Sequence, residues 1–81
     1  MNTEQFEKGI KAGWSKGMDI ANHNDHREAL KKIEELVVRA QLAAKKEHAS
    51  GDNDKAYYYR GYMAGASNAD GMLVAFRTYG E

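Results

Sequence analysis

Two clusters of imidazole and carboxylate side chains carry the residue types that a metal site needs. His23 and His26 flank Asn24 and Asp25, with Asp19 one turn earlier, and His48 stands near Asp52 and Asp54. Imidazole nitrogen and carboxylate oxygen together would suit a zinc-type divalent cation. The same side chains are also the ones that turns and helix caps favour, because they bond to backbone groups close by. An up-and-down chain places the two clusters at opposite ends of its middle helix, so neither gains a second ligand pair. No metal and no cofactor are expected.

Covalent and acid–base chemistry have even less to work with. The chain has no Cys, no glycine-rich loop between a strand and a helix, and no carboxylate pair in an evident pocket. It reads as a protein that is not an enzyme.

Chemistry of recognition is better supplied. Tyr57, Tyr58, Tyr59 and Arg60 follow one another, and successive helical positions turn by about 100°, so consecutive tyrosines fan too widely to enter one core. Tyrosine and arginine bring large contact area with a polar tip, which is why interfaces favour them. Tyr57, Tyr59, Arg60 and Met63 are the expected partner-binding residues. Tyr57, Tyr59 and Arg60, joined by Arg77, would also suit base stacking and phosphate contact, which makes a nucleic-acid-associated regulator the alternative. Against it stands charge: 12 basic and 12 acidic residues cancel, leaving no electrostatic footprint for a nucleic acid or a membrane surface. The runs Lys31-Lys32 and Lys45-Lys46 are interleaved with Glu28, Glu34, Glu35 and Glu47. Glu28 to Lys32 and Glu35 to Arg39 have the favourable i,i+4 order, the pattern of a solvated face. A protein partner is expected, nucleic acid is not, and a structural assembly subunit is the third reading.

These residues must be positioned by helices. Pro is absent, Ala, Glu and Lys are abundant, and β-branched residues are few, which together favour helix throughout. The first helix is expected from about Thr3, as N-cap, to Ala21. The second starts after Asn24 or Asp25, with Asp25 and Glu28 at capping-box spacing, and ends near Ser50 with Gly51 as its stop. The third begins after Asp52 or Asn53 and runs to about Thr78. Turns this short make consecutive helices antiparallel neighbours. The predicted fold is one all-α domain over residues 1–81, a small three-helix bundle.

An internal echo indicates how the helices pack. Phe6-Glu7-Lys8-Gly9-Ile10-Lys11-Ala12-Gly13-Trp14-Ser15 returns as Tyr58-Tyr59-Arg60-Gly61-Tyr62-Met63-Ala64-Gly65-Ala66-Ser67. Each copy lies on a ladder of small residues, Gly9, Gly13, Gly17 and Ala21 in one, Gly61, Gly65 and Ala69 in the other. Small residues one turn apart let helix backbones approach closely. Each interior glycine costs roughly 0.5–1 kcal/mol relative to Ala, so close packing of the first helix on the third, within one molecule or across a dimer, is the expected compensation. A duplication would relate the two helices by a pseudo-twofold axis; convergence on one packing solution would leave the same echo.

Apolar residues mark the remaining faces. Leu30, Ile33, Leu36, Val37, Ala40, Ala43 and Ala44 form the core stripe of the second helix and Tyr62, Gly65, Ala69, Met72 and Phe76 that of the third, while Phe6, Ile10, Trp14 and Met18 lie beside the first ladder. Val38 and Leu42 lie opposite that stripe, and Met63 and Val74 lie away from Tyr62 and Phe76. Val38, Leu42 and Val74 are therefore expected to serve self-association in a homodimer.

At 81 residues a single core supplies little net stability, which also favours oligomerisation. The lack of Cys and of any apolar run near 18 residues, with Glu4 and Glu7 at the start, argues for a cytoplasmic chain without a membrane span or signal peptide. In small size, cysteine-free helical character and lack of a catalytic signature it is similar to accessory proteins of bacteriophages and other mobile elements. That similarity implies an inhibitor or modulator of a host protein complex.

Overall fold

Side-chain caps and one glycine set the ends of the helices. The computed structural model describes the backbone of residues 3–79 and the side chains of residues 3–68. Helix α1 spans Thr3–His23, α2 His26–Ala49 and α3 Asn53–Tyr79. Asp25, in extended backbone, is the N-cap of α2 and accepts from the Glu28 N–H at 2.9 Å. Asp52 does the same for the Lys55 N–H at 3.1 Å at the start of α3. Each aspartate satisfies an orphan donor of a first turn.

The end of α2 is a Schellman closure. Gly51 takes φ +88°, its N–H donates to the His48 carbonyl, and the Asp52 N–H reaches back to the Glu47 carbonyl at 2.9 Å. Only a residue without Cβ adopts that backbone freely. Helix α1 differs from expectation at both ends. Thr3 is already helical, and the helix continues past Ala21 to His23. Asn24 Nδ2 donates to the Ile20 carbonyl and His23 Nδ1 meets the Asp19 carbonyl, both at 2.8 Å. Those side chains supply partners for carbonyls that a frayed end would leave to water.

Helices α1 and α3 run parallel, backbone against backbone, within one molecule, and α2 returns between them in sequence to pack mainly on α3. The whole measures 45 × 20 × 16 Å. A Cβ on Gly9 would fall on the Tyr58 carbonyl and 2.9 Å from Tyr62 N, and one on Gly61 would fall on the Phe6 carbonyl and 3.0 Å from Ile10 N. Gly13 faces the Tyr62 backbone as Gly65 faces that of Ile10, with Trp14 N 2.6 Å from the added carbon at Gly65. The nearest carbonyl contacts exchange between the two copies of the echo, Tyr58 at Gly9 for Phe6 at Gly61 and Tyr62 at Gly13 for Ile10 at Gly65. The pairing is therefore reciprocal about a local twofold axis, whatever its history. Gly17 is buried as well, whereas the Ala69 side chain lies outside the described residues, as do those of Met72, Val74, Phe76 and Arg77.

The side chains between the helices are small. Ala29, Ile33, Ala40, Ala44, Ala56 and Ala66 are buried, and Ile33 is the largest side chain fully removed from solvent among the described residues. Leu30, Leu36, Val37, Ala43, Phe6, Ile10, Met18 and Tyr62 are only half-buried. Trp14 departs furthest from its expected place beside the core, with 40% of its surface exposed. So close a crossing has no room for an indole between its backbones.

The lanes predict an inversion of normal helix propensity. Gly13→Leu and Gly65→Leu should each destabilise by more than about 1 kcal/mol through overpacking, although leucine is the better helix former. Thermal melts followed by circular dichroism should show midpoints lowered by some 4–8 °C per kcal/mol. Unchanged or raised midpoints in both variants would contradict the backbone contact.

Candidate functional site

The exposed chemistry of α3 is divided by the helix itself. Gly61 and Gly65 face α1, so the tyrosines fan to either side of that lane. Tyr58, Tyr59 and Tyr62 line one groove, whereas Tyr57 and Arg60 line another hollow with His48, Asn53 and Ala56. The expected set of Tyr57, Tyr59, Arg60 and Met63 is thus not one patch. Tyr57 and Arg60 stay together, Tyr59 joins the other tyrosines, and Met63 is half-buried.

Geometry in each place is specific. Arg60 is exposed and sets its guanidinium carbon 5.8 Å from the centre of the Tyr57 ring, within cation–π range. Tyr58 and Tyr59 meet edge to face at 5.6 Å and 78°, and Tyr58 and Tyr62 lie 6.3 Å apart, tilted by 42°. The three rings and Leu36, Arg39, Ala40 and Ala43 of α2 enclose an open groove of about 420 Å³. A second groove of about 320 Å³ runs on between α2 and the end of α1 and shares Leu36 and Arg39 as its wall. Leu36, Arg39 and Ala43 sit at spacings of three and four on the flank of the α2 stripe. That spacing was visible in the sequence; its conjunction with Tyr58 and Tyr62 required knowing which side of α3 receives α2.

On the outer side of α2, Val38 and Leu42 are 50% and 62% exposed one turn apart. The position agrees with the helical wheel. The histidine cluster holds no assembled ligand set. His23 Nδ1 lies 3.3 Å from Asp19 Oδ1 as well as against the Asp19 carbonyl, in a local turn contact. His26 Nδ1 is enclosed without a hydrogen-bond partner, and no group of three metal-ligating side chains comes together among the described residues. Lys32, expected to pair with Glu28, instead donates to Asn24 Oδ1 at 2.7 Å. That bond ties the start of α2 to the end of α1. Among the described residues no helix is long and apolar enough to cross a membrane.

Comparison with known proteins finds no matching family model, no matching curated protein and no matching solved structure. The reading of function therefore rests on this molecule's own surfaces.

Burial, with a smaller contribution from the neighbouring Tyr58 phenol, raises the Tyr62 phenol above the ordinary tyrosine value. The unfolded chain gives up that proton first, so this contribution to stability is intact below about pH 10 and is lost as pH climbs through the folded-state value. Tyr62→Phe should flatten the alkaline decline of the melting midpoint relative to the wild type. An identical decline in both proteins would refute the placement of Tyr62 against the groove wall.

Proposed function

We propose that this chain is a small non-enzymatic interaction protein that binds another protein stoichiometrically and acts as a homodimer. The observation that carries the reading is the array of half-buried tyrosines and exposed Arg60 on α3, a helix whose backbone is held by the glycine lanes of α1. Rigid aromatic anchors lose little entropy on binding, and a fixed helix presents them without further ordering. Self-association is assigned to the outer face of α2, where Val38 and Leu42 stand exposed. The compositional similarity to mobile-element accessory proteins extends the reading to an inhibitor or modulator of a host protein complex, acting in the cytoplasm.

Salt and mass separate this reading from its rivals. Immobilised protein should retain a protein at fixed stoichiometry after nuclease treatment and at raised salt, and Arg60→Glu should weaken that retention. Retention of nucleic acid that falls steeply with salt would instead make the chain a nucleic-acid regulator. Light scattering should give a dimer that Leu42→Glu converts to a monomer. A wild-type monomer at all concentrations would remove the dimer, and a mass far beyond a dimer would favour an assembly subunit.

A further inference from the structure

The groove beside the tyrosines has a charge pattern as well as a shape. Arg39 is the single charged residue lining it, beside Leu36, Ala40, Ala43, Tyr58, Tyr59 and Tyr62. Arg39 is exposed, and among the described residues no carboxylate forms an ion pair with it, although Glu35 lies one turn earlier in the order that favours pairing. Arg39 lines both this apolar groove and the more polar one, whose other charged residues are Lys16, Asp19, Lys32 and Glu35. The two grooves form one trough along α2, apolar at one end and of mixed charge at the other, with Arg39 as the charged residue that borders the apolar end.

We propose that this trough receives a peptide segment of the partner protein, which sets an apolar side chain among Tyr58, Tyr59, Tyr62 and Ala43 and a carboxylate on Arg39. The proposal rests on the protein-binding reading above and specifies the chemistry of the partner. An apolar segment alone would cover the guanidinium without a counter-charge, and a desolvated cation without one is costly. A carboxylate meets the guanidinium fork with two parallel hydrogen bonds, which fixes the segment's register as well as its sign. The edge-to-face packing of Tyr58 on Tyr59 and the contact of Tyr58 with Tyr62 hold the rings in place before the segment arrives.

A random peptide library panned against the full-length protein tests this directly. The expected winners combine an acidic residue with a nearby aromatic or large aliphatic one. Arg39→Glu should weaken a winning peptide by about tenfold or more, the scale of a lost charge-assisted pair, and Arg39→Lys should recover part of it. Tyr59→Ser should also weaken it, and Lys11→Ala, at an exposed position of α1 outside both grooves, should not. Circular dichroism of the exposed Arg39 variants guards against loss of fold. Winners without an acidic residue, or bound equally by Arg39→Glu, would overturn the trough as the site. If such winners depend on Arg60, the protein-binding reading stands and only this inference fails. Winners that resemble the Val38 and Leu42 segment would make a second copy the occupant and overturn the partner assignment. A library that yields nothing, with a protein still retained on the column by Arg39→Glu, would also overturn it.

Discussion

The approach of α1 to α3 is the constraint on which the rest of the molecule depends. At Gly9, Gly13, Gly61 and Gly65 the facing backbone occupies the space where a Cβ would stand. The carbonyls of Phe6, Ile10, Tyr58 and Tyr62 point at glycine Cα groups across the seam, the arrangement that permits Cα–H···O contacts. Each interior glycine costs roughly 0.5–1 kcal/mol in helix propensity. Backbone dispersion and the burial of flanking side chains offset that cost. Similar ladders serve in membranes, where lipid leaves packing as the main driving force. Here the described helices lack a membrane-spanning run, and the same geometry operates beside charged faces.

A reciprocal pair of helices offers a third helix two equivalent faces, and α2 takes one. The choice follows from the positions at which the two copies of the echo differ. On α3, Tyr59, Met63 and Ala66 occupy the places that Glu7, Lys11 and Trp14 occupy on α1. Ala66 is fully buried, whereas Glu7 and Lys11 are exposed. Docking α2 on α1 would require stripping water from a carboxylate and an ammonium group with no compensating partners. Packing α2 on α3 buries alanine against alanine instead. The backbone symmetry is thus broken by side-chain polarity, and α3 becomes the central helix.

The sequence made the helices legible because their stop signals act locally. Asp25, Gly51 and Asp52 each bond within a few residues, and the glycine ladders have no reason to persist in water except close packing. The outward position of Val38 and Leu42 followed from the period of the helix alone. What could not be read was the azimuth of α2 about α3, since that depends on energies compared between two faces rather than on any one segment. Without it, Tyr57 and Tyr59 looked like parts of one surface, Arg39 looked like an ordinary member of a solvated face, and Trp14 looked like a core residue. Glu28 and Lys32 show the same limit at small scale: their spacing is correct for an ion pair, but Asn24, brought near by the turn, takes the lysine.

The aromatic surface follows from the same close contact. Two backbones that nearly touch exclude large side chains from the space between them, so Tyr58, Tyr62, Phe6, Ile10 and Trp14 must flank the seam rather than fill it. Among the described residues the interior is left to alanine and to Ile33. A domain of this size would ordinarily spend its tyrosines on its core. Here the fold is held by backbone proximity, which releases those rings to the grooves while fixing the helix that carries them. Stability and the placement of the aromatic rings thus depend on the same glycines, and loosening the seam would disorder the tyrosines before it exposed much core.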